Sequence, residues 1–201
     1  MKLYSAPASP FVRKVNVVIA EAGITGVELL RASGTAVEPG SMPLADNPLG
    51  KIPTLVTATG EALYDSRVIC RYLDDLAGAG LYPQDDRRWQ TLVLEATADG
   101  ILDAALLMVY EGRIRPETLH FAPWIEAQWA KVERALDMIE ARWIDHLAGP
   151  LDIGQIAVGC ALGYLDFRLS ARPWRAARPD LAAWEAEFSA RPSMLLTQPT
   201  A

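Results

Sequence analysis

The chain has 201 residues, of which 51% are hydrophobic and 22% charged, and a net charge of −6. That much apolar surface builds one domain or two small ones and argues against extended disorder. An acidic chain without a basic cluster is a poor nucleic-acid or anionic-membrane binder, so any anionic ligand needs a local positive site.

The opening MKLYSAPASPF lacks a long apolar core and is interrupted by Pro7 and Pro10, so no signal peptide is expected. KLYSA is the first strand, and Pro10 to Ala22 the first helix, with Val12, Val15, Ile19 and Ala22 at helical spacing and Gly23 behind it. The alternating apolar and basic residues of SPFVRKV (9–15) read as the start of an amphipathic helix. VELLRA (27–32) is a second strand. IPTLVTA (52–58), the turn at Thr59-Gly60 and ALY (62–64) predict an antiparallel hairpin. A helix follows over Ser66–Ala77, with Val68, Ile69, Tyr72, Leu73 and Leu76 as its apolar face. The order is βαβ then ββα, a small α/β unit over 1–78. AGAGLYPQDD leads out of it, with 79–86 as a linker. Beyond lie helices only, over 87–112, 123–147, 153–170 and 180–190, giving an all-α domain over 87–201. No window approaches the roughly 18 apolar residues of a membrane span. Cys70 and Cys160, far apart and without a CxxC pattern, fit buried thiols in a reducing cytoplasm.

Familiar chemistries drop out on spacing. His120 and His146 are not at metal-ligand spacing, no HExxH or Cys/His cluster exists, and no metal is expected. Gly-rich phosphate loops and the GxSxG elbow are missing. Loop residues around the α/β unit remain. In NPLGKIPTL (47–55), Pro53 precedes a strand. A cis Ile52–Pro53 bond would turn the Ile52 N–H and C=O outward, where they could pair with an extended peptide; a plain turn is the other reading. In YDSRVI (64–69), Asp65 and Ser66 suit a helix N-cap. The same pair could grip an α-amino acid head, the helix end binding its carboxylate and Asp65 its ammonium.

These runs together resemble the glutathione S-transferase superfamily, in particular bacterial members. SPFVRKV is similar to its catalytic loop and first helix, NPLGKIPTL to its cis-proline segment, and YDSRVICRYLDD to its glutathione motif. DIGQIAVGCALGYLDFR (152–168) resembles its buried core helix, and RPDLAAWEAEFSARPS (178–193) its final helix. The resemblance spans nearly the whole chain. It implies a thioredoxin-like N-terminal domain that binds glutathione as co-substrate, and an all-helical C-terminal domain carrying an electrophile pocket. Asp65 and Ser66 would take the γ-glutamyl end, Ile52 the cysteinyl backbone with Pro53 cis, and Lys51 the glycyl carboxylate. Phe11 counts with this set and also borders the electrophile, with Leu102, Leu106, Tyr110 and Arg113 between the domains. Asp99, in ADGILD, resembles a carboxylate that reaches the partner subunit's γ-glutamyl amine in some classes; Asp99 or Asp103 as a solvated or capping residue is the other reading. A cytoplasmic homodimer is implied. The core helix departs from the family's Ser/Thr-x-x-Asp start, holding Asp152 and Gln155, which can still form a capping box.

A transferase must present glutathione as thiolate. With a free thiol pKa of about 8.5, lowering it by roughly two units requires about 2.7 kcal/mol. A helix N-terminus gives about 0.3–1 kcal/mol, rising to about 2 in a sheltered site, and a hydroxyl hydrogen bond to charged sulfur about 1.5–3. Their sum suffices, and Ser9 at the first helix start is placed for both. Tyr4 lies within the first strand, Ser5 is separated by Pro7, and no cysteine stands beside Ser9 to support thiol–disulfide exchange. Two readings follow: transfer of glutathione to a hydrophobic electrophile through Ser9, or a non-catalytic glutathione-binding or scaffold protein of the same fold.

Overall fold

The computed structural model describes residues 1–200, which divide into two compact units, Met1–Pro83 with the segment from Pro192, and Gln84–Arg191. In the first, β1 (Lys2–Ser5) buries Leu3 and Ser5 on one face. It lies in the order β2-β1-β3-β4 with β2 (Glu28–Arg31), β3 (Thr54–Val56) and β4 (Ala62–Leu63). β2 runs parallel to β1, while β3 is antiparallel to both β1 and β4, giving the expected hairpin.

The unit's helices are α1 (Pro10–Glu21), α2 (Ser66–Ala77) and α8 (Pro192–Leu196). Proline at the first position of α1 loses no helical donor and presets φ. The basic residues of SPFVRKV do not face solvent as the amphipathic reading expected: Arg13 and Lys14 are buried with Val12, Val15, Val17 and Val18. The reason is α8. Its short turn packs on α1, Arg13 donates to the Met194 carbonyl at 3.2 Å, and Ser193 hydrogen-bonds Glu21. The chain therefore does not end with the helix of RPDLAAWEAEFSARPS. Its last residues belong with the first unit, unlike the boundary of 87–201 drawn on the sequence.

α2 has the expected length, but its buried face holds Ser66, Ile69, Cys70, Leu73 and Asp74, leaving Val68 and Leu76 exposed. Asp74 turns inward because its carboxylate accepts the N–H groups of Leu81 and Tyr82 at 2.8 and 3.0 Å. Gly78, at φ 62°, ends the helix in the left-handed conformation and lets the chain fold back. Leu81, Tyr82 and Pro83 are buried, and Arg71 lies over the Tyr82 ring, so this part of the expected linker is packed structure.

The second unit holds α3 (Arg88–Ile114), α4 (Ala122–Arg142), α5 (Ile144–Leu147), α6 (Ile153–Arg168) and α7 (Pro179–Ser189), with a 3-10 turn over Glu117–Leu119. α6 is buried along nearly its whole length and packs most extensively on α3. The single helix expected over 123–147 is broken at Trp143, which leaves helical geometry at φ −116°, ψ 0°. Beyond that break His146 bonds Asp152 at 2.8 Å, and its ring meets Trp143 edge-on. Asp152 caps α6 by accepting the Gln155 N–H at 3.2 Å and also takes the Thr91 hydroxyl at 2.8 Å. Only half of a capping box forms, since the Gln155 amide donates instead to the carbonyls of His146, Gly149 and Pro150. Cys70 and Cys160 are buried, and neither is in a disulfide. Among the described residues no helix is long and apolar enough to cross a membrane.

Candidate functional site

The register of the sheet determines which loops meet. Tyr4 pairs with Thr54 and Leu55 with Leu63, so the C-terminal ends of β1 and β4 and the N-terminal end of β3 share one edge. Three segments leave that edge: Ala6–Ser9 behind β1, Lys51–Pro53 before β3, and Tyr64–Ser66 behind β4. The N-termini of α1 and α2 open there, so two sets of unpaired N–H groups and two positive dipole ends face the same region.

Ser9 is the N-cap of α1. Its N–H closes a turn on the Ala6 carbonyl at 3.0 Å, and its carbonyl accepts from Arg13 at 3.0 Å. The Oγ accepts the Val12 N–H at 3.3 Å, a bond that leaves the hydroxyl hydrogen available. Phe11 is half-buried one turn position inward. Tyr4 is differently engaged: hydrogen bonding to the Asp46 carboxylate, with burial adding, raises its phenol above the ordinary 10.0. A phenol donating to a carboxylate is a poor donor to anything else.

The Ile52–Pro53 bond is cis. Ladder pairing on β3 begins only at Thr54, so Ile52 takes no part in the sheet register. Lys51 is exposed at the side-chain end while its carbonyl is fixed from below by Asn47 Nδ2 at 3.0 Å and Thr54 Oγ1 at 2.9 Å. Asn47 is buried, donates also to Thr54 Oγ1 at 3.1 Å, and accepts the Leu49 N–H at 3.0 Å. The sequence reading missed this residue. Its signal was an asparagine opening a Pro-Leu-Gly turn, a place where an amide side chain replaces backbone partners.

Asp65 caps α2 by accepting the Arg67 N–H at 3.0 Å, and it is exposed, while Ser66 is buried at the first helical position. The Tyr64–Asp65 peptide is also cis, which no residue type announces because the second residue is not proline.

In the helical unit the expected pocket residues scatter. Leu102 is fully buried, Leu106 and Tyr110 are half-buried, and Arg113 is exposed. Only Tyr110 of these lines a cavity of about 570 Å³, together with Leu107, Ile114, Phe121, Trp124 and the Glu111–Arg115 ion pair. Glu111 also accepts the Phe121 N–H at 3.1 Å and so holds the segment that forms one wall. Asp99 is buried rather than solvated, while Asp103, one turn on, is exposed. Among the described residues no group of three His, Cys, Asp or Glu side chains is arranged to hold a metal.

Comparison with known proteins places this geometry. Residues 8–76 match the model of the glutathione S-transferase N-terminal domain, and residues 122–187 that of its C-terminal domain. The chain belongs to the glutathione S-transferase family. Among curated relatives, the uncharacterized GST-like protein YibF of Escherichia coli (strain K12) is 35% identical over 99% of this chain and 98% of its own. A glutathione transferase family member from Pseudomonas fluorescens Pf-5, solved with bound glutathione, is 47% identical, with a TM-score of 0.97 over 100% of this chain and 99% of that one. A second Pseudomonas fluorescens Pf-5 structure, holding S-(propanoic acid)-glutathione, is 46% identical, with a TM-score of 0.91 over 100% of both chains. The first unit of this glutathione S-transferase is accordingly thioredoxin-like and the second is the family's helical domain.

Proposed function

We propose that this family member is a catalytic glutathione transferase, using Ser9 to hold the glutathione thiolate and passing it to a hydrophobic electrophile. The observation that carries the reading is the shared sheet edge, where the Ser9 hydroxyl, the cis Ile52–Pro53 segment and the Asp65–Ser66 cap meet. Asp65 and Ser66 take the γ-glutamyl end, the Ile52 backbone pairs with the cysteinyl unit, Lys51 approaches the glycyl carboxylate, and Phe11 covers the thiol side. Glutathione bound in a relative 47% identical supports the ligand. An S-substituted glutathione in another supports transfer over storage. Ser9 combines a hydroxyl donor with the positive end of α1, and the commitment of Tyr4 to Asp46 removes the nearest rival.

We further infer a homodimer in a reducing cytoplasm. The buried thiols fit that compartment. On α3, Trp89, Val93, Ala96, Gly100, Asp103 and Leu107 recur at alternating four- and three-residue spacing, and all are exposed. Trp89 is 68% accessible, Val93 51% and Leu107 44%, with small residues at the centre allowing close approach of a second helix.

Steady-state assays with glutathione and chlorodinitrobenzene test the transferase reading. Saturable turnover above the uncatalysed rate is expected, falling in Ser9→Ala. Tight glutathione binding with no turnover across aryl halides, epoxides, enones and hydroperoxides would instead identify a non-catalytic binder.

A further inference from the structure

Arg13 is 7% exposed, although it lies only one turn into α1, four residues past the Ser9 cap. Its N–H donates to the Ser9 carbonyl at 3.0 Å, so the backbones of the two residues are tied directly. Its guanidinium reaches the C-terminal segment, where Nη2 donates to the Met194 carbonyl at 3.2 Å, while Nε is buried without an acceptor. One long bond and an orphaned Nε are a poor return for desolvating a charge. An apolar side chain of similar length would fill the contact between α1 and α8 at less cost. What arginine supplies, and methionine would not, is a directional link between segments 181 residues apart.

The same segment has a second hold on α1. The Ser193 hydroxyl donates to Glu21, the last residue of α1, and the Thr197 hydroxyl donates to the Ser193 carbonyl at 2.8 Å, bracing the short turn of α8. α1 is therefore gripped one turn from its start and at its end. The start is where a grip matters. The Val12 N–H meets Ser9 Oγ at 3.3 Å, outside the usual span of about 2.7–3.2 Å, so the cap alone fixes the hydroxyl weakly. We propose that Arg13 is a positioning residue for Ser9: the C-terminal strap, through the Met194 carbonyl and the Arg13 guanidinium, fixes the first turn of α1 and with it the direction of the Ser9 hydroxyl. The inference rests on the transferase reading, in which that hydroxyl donates to the glutathione thiolate. A charge-assisted bond weakens steeply with misalignment, so loosening the strap raises the thiol pKa without touching glutathione.

The test is ultraviolet titration of the thiolate in the glutathione complex of the full chain, in Arg13→Met, Arg13→Lys, Ser9→Ala and the double variant Ser9→Ala/Arg13→Met. Arg13→Met should raise the bound thiol pKa by at least about 0.5 unit, and Arg13→Lys, which keeps a donor, should recover part of that shift. Glutathione affinity by calorimetry at about pH 5.5, where the bound sulfur is mostly protonated, should stay within about twofold. In the Ser9→Ala background the Arg13→Met change should add almost nothing, because its effect passes through the missing hydroxyl. An unchanged pKa in Arg13→Met overturns the inference, and so does an equal rise in both backgrounds, which would show the guanidinium acting by charge alone. If Arg13→Met does not fold, Ser193→Ala cuts the other tie without removing a charge: a raised thiol pKa supports the strap, and an unchanged one overturns it. A shift in Ser9→Ala with none in Arg13→Met sinks this inference and leaves the transferase reading standing. A bound thiol that titrates near the free value in the unaltered chain sinks the transferase reading itself.

Discussion

Ser9 has one hydrogen and two acceptor lone pairs, so capping α1 and binding a thiolate draw on different parts of the same hydroxyl. Its cap bond to Val12 is long, at 3.3 Å. Ser9→Ala should therefore cost only about 0.5–1 kcal/mol in urea unfolding. It should raise the thiol pKa of bound glutathione by about one unit or more, with affinity for glutathione little changed. Asn47→Ala is the complementary case. It removes bonds to Lys51, Thr54 and Leu49 beneath the cis-proline segment, and should destabilise by about 2 kcal/mol while weakening glutathione binding measured by calorimetry. Loss of stability at full glutathione affinity would show that the loop needs no such support. The Ser9 and Asp65 caps and the cis Ile52–Pro53 bond were legible because each sits in a run whose residue types have few local alternatives. Asn47 was not, since its partners come from its own loop's three-dimensional closure.

At the scale of elements, short-range signals located helices well and their orientation less well. α2 begins at Ser66 and ends at Ala77 as its caps dictate, yet its inward face was misread, because a buried Asp74 serves two N–H groups supplied by the following loop. Nothing in hydrophobic periodicity reports such a debt between a carboxylate and a backbone seven residues on. α8 has five residues, too few for a periodic signal, and its bond to Arg13 is tertiary. The Asp152 cap illustrates the opposite case, an element terminus recognised from residue type whose wider network was invisible. It joins Thr91 of α3, His146 of α5 and the start of α6. Asp152→Ala should destabilise the helical unit by about 3 kcal/mol, since it leaves a buried hydroxyl, an imidazole and an N–H without their acceptor. Asp152→Asn should lose less, having kept the cap. Equal losses in thermal or urea unfolding would assign the effect to charge rather than to capping.

For the whole molecule, the inferred dimer depends on an exposed apolar stripe along α3 with Gly100 at its centre, where an added Cβ meets no atom within 4 Å. Gly100→Lys should improve helix propensity by about 0.5–1 kcal/mol yet place a charge in the stripe. Sedimentation should then give monomer at concentrations where the unaltered chain is dimer; a dimer unaffected by the lysine would move the interface elsewhere. The central claim concerns one proton. Ultraviolet titration of thiolate absorbance in the glutathione complex reads it directly. The account predicts an apparent thiol pKa about two units below the free value of roughly 8.5. A bound thiol that still titrates near the free value would contradict it.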